Sequence, residues 1–329
     1  MFWKNKSVVV TGAGGFIGSH LAELLVNRCK HVRALAHYNG RNDEGMLELI
    51  PKSIHKEMEI ILGDIRDPFA VRNLVKDCDI VFHLGALIAI PYSYVAPASY
   101  IDTNVLGTLN ILEACRAEGI FRMVHTSTSE VYGTAQYTPI DEKHPLQGQS
   151  PYSASKIGAD KLAESYYRSF RLPVVTVRPF NTYGPRQSAR AVIPTIITQA
   201  LTGGPIYLGS LTPVRDMTYV KDTCEGFLAL AQCDKAIGKV VNLGTGQAQS
   251  IGDIVEIVGQ ILGRKLNVKT DKKRIRPKES EVMKLLSDNS LCCQLTGWKP
   301  QVTLKKGLAE IIKYLEKNLD RYKISKYNI

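Results

Sequence analysis

Thr11-Gly12-Ala13-Gly14-Gly15-Phe16-Ile17-Gly18 is the stretch that decides the fold of this 329-residue sequence. The β-branched run Val8–Thr11 predicts a strand that ends at the first glycine, and the apolar spacing over Ser19–Asn27 predicts a helix directly after the last one. The glycines therefore form a Gly-x-x-Gly-x-x-Gly pattern at a strand-to-helix turn. Such a turn in the first strand–helix unit is typical of a dinucleotide-binding sheet.

Each glycine of the pattern has a physical task in such a site. Gly12 permits the tight turn, Gly15 lets the backbone approach a pyrophosphate, and Gly18 lets helix and strand pack closely. The helix N-terminus offers its N–H groups to the anion, and Phe16 and Ile17 complete the predicted cofactor loop. The glycines alone would also fit a purely structural turn. Their position in the chain favours the cofactor interpretation.

Short apolar, β-branched runs recur along the chain, with amphipathic stretches between most of them, so the sequence predicts alternating strands and helices. The runs are Val8–Thr11, Val32–Ala36, Ile60–Leu62, Ile80–Leu84, Met123–Thr126, Val174–Arg178 and Val240–Leu243. Alternation of this kind predicts an α/β fold, a Rossmann-type doubly wound parallel sheet with helices on both faces. We expect residues 1–178 to be mainly the NAD(P)-binding domain and 179–329 mainly a smaller C-terminal substrate-binding domain, with strand 240–243 returning to the sheet.

Two helices are well marked. One follows the helical spacing of Ile101, Val105, Leu109 and Leu112 and ends near Gly119. The other begins with a cap and a first-turn proline and continues to about Phe170; its cap is Ser150 and its proline is Pro151.

Composition narrows the class of protein. A hydrophobic share of 44% and a charged share of 22% are those of a soluble globular protein. No apolar stretch is long enough to span a membrane, and no signal peptide precedes the first strand, so we expect a cytoplasmic protein with no membrane partner. The net charge of +11 raises nucleic acid as a partner, but the excess gathers late, from Arg264 to Lys278 and near the C-terminus. We interpret it as a solvated basic face, which would also favour a nucleotide diphosphate, and expect no nucleic-acid partner.

The seven cysteines include no Cys-x-x-Cys pair, and Cys292 and Cys293 are adjacent. This pattern suits neither a simple disulfide framework nor a zinc site. We interpret the cysteines as reduced thiols and expect no metal site.

The end of the second strand should meet the adenine ribose, commonly with an acidic residue when the 2′-hydroxyl is free. Here Ala36, His37 and Tyr38 occupy that position, with Arg33 and Arg41 nearby. A 2′-phosphate is therefore tolerable, and NADP is favoured over NAD.

Later strand ends complete the predicted cofactor site. Asp64 and Ile65, after the third strand, are placed to border the adenine, although Asp64 also fits a helix or turn cap. Leu84 to Leu87, after the fourth strand, are placed to border the ribose and nicotinamide, with Leu84 and Ala86 as the predicted contacts.

Tyr152-Ser153-Ala154-Ser155-Lys156 places a phenol and an ammonium one helical turn apart on the same face. The cation should lower the pKa of the phenol, so that Tyr152 can take a proton from a hydroxyl near neutral pH, while Lys156 can also hold the nicotinamide ribose. A surface pair would have the same spacing. The position after the fifth strand, with Thr126-Ser127-Thr128-Ser129-Glu130-Val131-Tyr132-Gly133 before it, favours the chemical role.

Together these motifs resemble the extended short-chain dehydrogenases/reductases of the NDP-sugar epimerase/dehydratase group over nearly the whole chain. The resemblance implies that Asn104, in Thr103-Asn104-Val105-Leu106-Gly107-Thr108, supports an active-site water and the helix geometry. It also implies that Thr128 hydrogen-bonds the sugar O4, and that Tyr152 and Lys156 are the base and its activator. The substrate would be a nucleotide-diphospho-sugar.

The same resemblance assigns substrate contacts in the second half. Arg178-Pro179-Phe180-Asn181-Thr182-Tyr183-Gly184-Pro185-Arg186 resembles the loop that touches the nicotinamide, here through Phe180, and then the diphosphate, here through Asn181 and Arg186. Arg215 and Arg276 fall where the family commonly places arginines on the nucleotide diphosphate, and the guanidinium fork suits a phosphate. A surface salt bridge remains open for Arg276.

Glu130 decides between reactions. Sugar 4,6-dehydratases carry an acid two places after the threonine, where it removes the C5 proton from a 4-keto sugar; simple 4-epimerases usually lack it. Thr-Ser-Glu resembles the GDP-mannose dehydratase type, while Ser129 departs from the Thr-Asp-Glu of thymidine-linked glucose dehydratases and leaves the acid for the C6 hydroxyl unassigned. The closest resemblance is to GDP-mannose-dehydratase-like and legionaminic-acid-pathway dehydratases that act on an N-acetylglucosamine nucleotide.

The resemblance thus implies a lyase, an NAD(P)-dependent nucleotide-sugar 4,6-dehydratase that recycles its coenzyme. UDP-glucuronate decarboxylases also carry Thr-Ser-Glu, so a decarboxylase or a 4-epimerase remains open. A non-catalytic dinucleotide sensor on the same fold would not need the phenol–ammonium pair. Finally, the resemblance implies a homodimer in which helices Ser99–Ala117 and Ser153–Phe170 pair with their copies.

Overall fold

The computed structural model describes residues 2–275 and 281–322. In chain order its strands are β1 (Ser7–Thr11), β2 (His31–His37), β3 (Glu59–Gly63), β4 (Ile80–His83), β5 (Arg122–Thr126), β6 (Val174–Pro179), β7 (Asn181–Tyr183), β8 (Ile206–Leu208), β9 (Val214–Tyr219), β10 (Val240–Leu243), β11 (Ala248–Ser250), β12 (Val268–Thr270) and β13 (Lys284–Leu285).

The helices are α1 (Phe16–Val26), α2 (Lys52–His55), α3 (Pro68–Val75), α4 (Ile90–Val95), α5 (Pro97–Tyr100), α6 (Gly107–Glu118), α7 (Pro151–Phe170), α8 (Val192–Leu201), α9 (Val220–Gln232), α10 (Ile251–Ile261), α11 (Ser290–Thr296) and α12 (Leu304–Glu316). Between them lie 3₁₀ turns, of which Gly45–Leu49 and Ser129–Tyr132 matter for the site, and a π-helical turn, Ile101–Leu106. No helix in the described ranges is long and apolar enough to cross a membrane.

A central parallel sheet of seven strands has the order β3-β2-β1-β4-β5-β6-β10. Helices α1 and α9 pack on one face, with Leu21 and Phe227 in the same apolar core, and α3, α6 and α7 pack on the other, with Leu74 and Ile111 in theirs. The predicted doubly wound α/β fold is therefore confirmed. All the predicted strands are present, and Val240–Leu243 has the predicted bounds.

The second half of the chain builds a smaller lobe and also completes the sheet. Its own apolar core joins α8, α10 and α12 to β8 and β9, with Ile196, Ile254 and Leu308 among the buried residues. However, α9 buries Phe227 against the large sheet, and β10 pairs with β6. Residues after 178 therefore contribute both to the core of the smaller lobe and to the core of the large sheet.

Two helices differ from their predicted form. Helix α1 begins at Phe16 rather than Ser19, because the glycine-rich turn feeds directly into it. The helix expected from Ile101 onward begins as a π-helical turn and becomes α-helical at Gly107. The Thr108 hydroxyl donates to the carbonyl of Asn104 at 2.6 Å, and a side chain at Gly107 would overlap Ile65. A π-turn of this kind often marks a functional site, because it redirects a side chain.

Candidate active site

The glycine-rich turn is packed so closely that little room is left for side chains at Gly12, Gly15 and Gly18. A Cβ at Gly18 would overlap the carbonyl oxygen of Gly12, and one at Gly15 would lie 3.1 Å from the same oxygen. Gly12 has φ +70°, and a Cβ there would lie 2.8 Å from the amide nitrogen of Gly85. No side chain caps the N-terminus of α1. This tight, open-ended turn fits the pyrophosphate of a dinucleotide, with Phe16 and Ile17 in the first turn of the helix.

The adenine end of the predicted cofactor site is more open. His37 and Tyr38, at the end of β2, are exposed. Arg41 is exposed as well and lies 3.8 Å from the carboxylate of Asp43. Arg33 is not part of this region, because its guanidinium lies against Glu59 and donates to the carbonyls of Leu74 and Lys76. The sequence-based placement of Arg33 near a 2′-phosphate is therefore wrong.

The residues predicted after β3 and β4 lie at the same edge of the sheet. Asp64 accepts the amide N–H of Arg66 at 2.9 Å and pairs with its guanidinium, so it does form the turn contact that the sequence left open. The hydrogen bond from Arg66 holds the pKa of Asp64 below its ordinary value. Ile65 is buried, while Leu84 and Ala86 are half-buried beyond the end of β4.

Asn104 joins the nicotinamide side of the cleft to the helix that carries the phenol. Its amide accepts the N–H of Leu87 at 2.8 Å and donates to the Leu87 carbonyl at 2.9 Å. The same amide donates to the Ser155 hydroxyl on α7 at 2.9 Å. The side chain is fully buried. Asn104 thus fixes the loop after β4 against α7; its support of an active-site water stays a prediction.

Helix α7 presents the phenol and the ammonium from a well-defined start. Ser150 and Ser153 form a reciprocal capping box, and Pro151 occupies the first turn, as the sequence predicted. Tyr152 and Lys156 are both buried. Tyr152 packs with Ile90, Tyr100 and Leu87 in a small apolar cluster at the site.

The protonation states differ from the sequence expectation. Burial raises the pKa of Tyr152, and its hydrogen bond with Thr128 opposes that rise without cancelling it. The expected lowering of the Tyr152 pKa is therefore not found, because desolvation dominates. Burial also lowers the pKa of Lys156 to about 8, against the charge of Asp160. The Lys156 ammonium donates to the carbonyl of Thr126 at 2.7 Å, at the end of β5.

The turn after β5 supplies the other predicted catalytic groups. Thr128 caps the 3₁₀ turn Ser129–Tyr132 and accepts the N–H of Glu130 at 3.2 Å. Ser129 is buried, and Glu130 is half-buried. The charge of Glu130 raises the pKa of Tyr152, so the two groups lie near each other. The structure thus brings Thr128, Glu130, Tyr152 and Lys156 together.

Sequence reasoning missed a buried polar cluster beneath this turn. Asp160, on α7, accepts from Ser127 at 2.8 Å and from Arg178 at 2.9 Å, and it lies 3.1 Å from Nε2 of His125. Asp160 follows Lys156 by four residues, so it lies on the same helix face. That spacing was the signal that could have identified it.

The predicted substrate loop begins at β6 and β7. Phe180 is buried, and its amide donates to the carbonyl of Leu243 in β10 at 2.9 Å. Asn181 is half-buried, and its Oδ1 atom has no hydrogen-bond partner within the described part of the chain. An unpaired acceptor beside the cleft is available to a ligand donor.

Arg186 is held by the cofactor helix. Its guanidinium pairs with Glu23 of α1 at 2.5 Å and contacts His20, whose pKa burial lowers to about 3. Its Nη1 atom is buried and has no partner among the residues described. The expected diphosphate contact therefore depends on that nitrogen, while the rest of the side chain ties the loop after β7 to α1.

Of the two remaining predicted arginines, the structure describes only one. Arg215, in β9, is buried and pairs with Glu281 at 3.3 Å. Arg276 lies outside the described residues, so its predicted contact has no structural counterpart here. Across residues 2–275 and 281–322 no group of three or more His, Cys, Asp and Glu side chains could hold a metal ion.

Comparison with known proteins agrees with this geometry. A family model for GDP-mannose 4,6 dehydratase matches residues 9–311. A dTDP-glucose 4,6-dehydratase of an Actinoplanes species is 32% identical over 94% of this chain and 98% of its own length.

Two solved structures are also similar. A UDP-N-acetylglucosamine 4-epimerase from Methanobrevibacter ruminantium, in complex with UDP-N-acetylmuramic acid, has a TM-score of 0.87 and 30% identity, covering 96% of this chain and 99% of that one. A dTDP-glucose 4,6-dehydratase from Streptomyces venezuelae, with NAD and TYD bound, has a TM-score of 0.84 and 28% identity, covering 97% and 100%. With its glycine-rich turn and its Thr128–Tyr152–Lys156 arrangement, the chain belongs to the extended short-chain dehydrogenase/reductase family of NDP-sugar dehydratases and epimerases.

Proposed function

We propose that the protein is an NAD(P)-dependent nucleotide-sugar 4,6-dehydratase, a lyase that converts an NDP-N-acetylglucosamine or related NDP-hexose to the 4-keto-6-deoxy sugar. The observation that carries this proposal is the position of Glu130, on the same turn as Thr128 and near enough for its charge to raise the pKa of Tyr152. A second carboxylate beside the phenol is the group needed to remove a proton from C5 once C4 is a ketone. The family's dehydratases support the same conclusion.

The residues divide the work. Thr128 orients the sugar O4 toward Tyr152, whose phenolate form accepts the O4 proton and becomes the phenol; the nearby Lys156 ammonium stabilises that phenolate before the transfer. Glu130 then takes the C5 proton and gives it, directly or through a water, to the C6 hydroxyl, which leaves as water. A dinucleotide whose pyrophosphate is held at Gly12, Gly15 and Gly18 would supply the oxidant for C4 and the reductant for C6, so we expect no net build-up of reduced cofactor. The Asn181 amide N–H groups, the Nη1 atom of Arg186 and the Arg215 guanidinium are proposed to hold the diphosphate.

The proposed coenzyme is NADP in preference to NAD. The support is the end of β2, where His37 and Tyr38 are exposed and no carboxylate follows the strand directly. The next acids are engaged in the loop: Asp43 accepts the N–H of Gly45 at 2.7 Å, and Glu44 pairs with His55 at 2.6 Å. Arg41 remains exposed nearby to meet a 2′-phosphate.

An NDP-sugar 4-epimerase is the second candidate. Ser129 is favourable to it, because the turn then offers one carboxyl group where a dehydratase with Thr-Asp-Glu has two. Similar proteins of both kinds are known. A UDP-glucuronate decarboxylase has the same Thr-Ser-Glu sequence and would be recognised by its product.

A substrate panel separates these reactions. Purified protein with NAD+ or NADP+ is incubated with GDP-, UDP- and dTDP-linked glucose, mannose and N-acetylglucosamine and with UDP-glucuronate, and products are followed by mass spectrometry. The proposal expects a product lighter by one water, with no build-up of reduced-nicotinamide absorbance. An isomer of unchanged mass would establish the epimerase instead, and loss of carbon dioxide the decarboxylase. No turnover of any sugar nucleotide would favour a dinucleotide sensor.

We also propose that the protein is a homodimer. Ile101 and Leu106, on the π-helical turn before α6, are each 48% exposed, and Phe170 at the end of α7 is 51% exposed. These exposed apolar side chains lie on or next to the two helices that are predicted to pair with their copies, and such a surface favours an isologous contact with a second copy.

A further inference from the structure

The carboxylate of Asp160 lies at the centre of a buried cluster that none of the proposed chemical steps uses. Its Oδ2 atom accepts the Ser127 hydroxyl at 2.8 Å and two guanidinium N–H groups of Arg178, at 2.9 and 3.1 Å. Its Oδ1 atom lies 3.1 Å from Nε2 of His125. The Asp160 side chain is 3% exposed. Burying a carboxylate costs free energy unless it is hydrogen-bonded and paired, so this arrangement is built around the charge.

The partners of Asp160 belong to the strands that carry the site. Ser127 directly precedes Thr128, and His125 lies in β5 one residue before Thr126, whose carbonyl accepts from Lys156. Helix α7 is therefore held to the end of β5 by two hydrogen bonds. Lys156 donates to the backbone carbonyl of Thr126, and Asp160, one turn later, accepts the hydroxyl of Ser127. The position of Thr128 relative to Tyr152 depends on this double contact.

The cluster extends away from the site through hydrogen bonds. Arg178 donates to the hydroxyl of Tyr132 at 3.0 Å, and that hydroxyl donates to Asn242 in β10 at 2.7 Å. Tyr132 ends the same turn that carries Glu130. Both ends of the catalytic turn are thus fixed, one by Asp160 directly and the other through Arg178.

The charged and titratable groups near Lys156 also single out Asp160. Lys156 acts electrostatically on His83 from β4 and His125 from β5, and Asp160 acts on Lys156 from the same helix. Tyr152 lies one turn before Lys156 on α7, and Arg178 from β6 pairs with Asp160. Burial lowers the pKa of both histidines and raises that of Tyr152, so these three groups are neutral near pH 7. Arg178 is cationic, and Asp160 is the anion that opposes the burial of the Lys156 charge. Although burial alone would raise the pKa of Asp160, the hydrogen bond from His125 and the charges of Arg178 and Lys156 hold it below its ordinary value.

We propose that Asp160 is a positioning residue for the reaction, which holds Ser127 and Thr128 in register with α7 and keeps the Lys156 ammonium charged. The inference rests on the proposed function for the use made of that charge. Asp160 itself touches neither substrate nor cofactor in this assignment; it acts through Ser127 and Lys156. Its neutral isostere should therefore change the ionisation of a lysine one turn away.

The test measures that ionisation without any substrate. Full-length protein is labelled with ε-¹³C lysine, Lys156 is assigned with Lys156→Arg, and its signal is titrated in the wild type, Asp160→Asn and Asp160→Glu, with and without NAD+. We expect the midpoint near pH 8 in the wild type and roughly one to three pH units lower in Asp160→Asn, the range for losing a nearby opposite charge. Asp160→Glu should restore most of the difference. An unchanged midpoint in Asp160→Asn, or a midpoint in Asp160→Glu as low as that of the asparagine variant, would overturn the proposal.

A matched control and a milder variant guard against a purely structural effect. Asp222→Asn removes another buried carboxylate, which accepts the N–H groups of Gln301 and Val302 in the smaller lobe, and should leave the Lys156 midpoint unchanged. If Asp160→Asn does not fold, Ser127→Ala removes one donor and keeps the charge. It should speed amide deuterium exchange at residues 127–130 while the Lys156 midpoint stays near 8; unchanged exchange there would contradict the proposed hold on β5. Because these readouts need no turnover, they separate this proposal from the proposed reaction.

Discussion

Glu130 and Tyr152 are the residues at which the proposed reaction can be divided into its steps. Glu130→Gln keeps size and hydrogen bonding but cannot accept the C5 proton, so it should lower dehydration by the ~10²–10⁴-fold typical of a positioned general base. Oxidation at C4 relies on Thr128, Tyr152 and Lys156 and should survive, giving reduced-nicotinamide absorbance on addition of substrate. Tyr152→Phe should abolish both steps. The measurements are single-turnover absorbance and product mass.

Glu130→Gln also has an outcome that would defeat the assignment of Glu130 as the C5 base. A variant that dehydrates at the wild-type rate would show that Glu130 is a structural carboxylate at the start of its turn. Another group would then have to remove the C5 proton, whereas a wild-type protein that only isomerises its substrate would establish the 4-epimerase. Tyr152→Phe provides the matched control, because it should be inactive under either reaction.

Lys156 gives a pH dependence of definite sign. Its pKa is lowered by burial to about 8, so the fraction carrying the ammonium falls as pH rises through that value. If the charged form is needed to stabilise the Tyr152 phenolate, kcat should decline above about pH 8. A pH profile from 6 to 10, with stability checked at each pH, measures it. A rate that stays level to pH 10 would show that the charge of Lys156 is not required.

Single residues also show where sequence reasoning reaches its limit. The spacing of Tyr152 and Lys156 was sufficient to predict that both lie on one face of a helix, because helix periodicity fixes their relative positions. The roles of Thr128 and Glu130 came from the family resemblance and stay predictions. Nothing local in the sequence indicated that Arg186 would be held by α1. Such contacts join residues far apart in the chain, and periodicity carries no information about them.

At the level of the elements, the glycine-rich turn makes a strong prediction. Gly18→Ala would place a methyl group against the carbonyl oxygen of Gly12, so α1 would have to move away from β1. We expect a loss of stability of ~1–3 kcal/mol, as for overpacked cores, together with weaker dinucleotide binding. Gly204→Ala is the matched control, since nothing lies within 4 Å of its added carbon. Thermal unfolding and a fluorescence titration with NADP+ distinguish the two; equal behaviour would contradict the packing argument.

The start of helix α7 gives a second prediction at the level of the elements. Ser150→Ala removes the side-chain half of the capping box just before Tyr152, which should cost ~0.5–2 kcal/mol and lower kcat, because the first turn carries the phenol. Thr303→Ala removes a comparable cap from α12 in the smaller lobe and should reduce stability without lowering kcat. Chemical denaturation and steady-state rates measure both effects. Equal rates in the two variants would mean that the cap does not position Tyr152.

Elements were predicted well where their pattern was local. The parallel strands were found from apolar runs, and α7 from its cap and length, because these signals lie within a few residues. The π-helical turn was not found, since the spacing of Ile101, Val105 and Leu109 fits an α-helix equally well. At the π-helical turn the Asn104 side chain donates to the Leu87 carbonyl, and the Thr108 hydroxyl donates to the Asn104 carbonyl. Both contacts depend on the folded sheet, so the local sequence does not show them.

For the whole molecule, the proposed homodimer is directly measurable. Light scattering should give twice the 36.4 kDa of the chain at micromolar concentration. Leu106→Glu should shift the mass toward the monomer, because a charge would be buried in the apolar contact. Tyr207→Glu is the control, since Tyr207 is 43% exposed on β8 in the smaller lobe. A wild-type chain that is monomeric, or a Leu106→Glu variant that still dimerises, would contradict the proposed interface.

The late arrival of β10 also has a consequence for how the protein is made. Every residue of β6 is buried, and its outer edge is covered by a strand that is synthesised only after the whole of β7, α8, β8, β9 and α9. While the ribosome is producing that interval, which takes on the order of seconds, β6 has an edge of unpaired backbone N–H and C=O groups. Vectorial folding of the first half therefore stops one strand short of completion. Until residue 243 emerges, this edge is open to pairing with a strand of another chain.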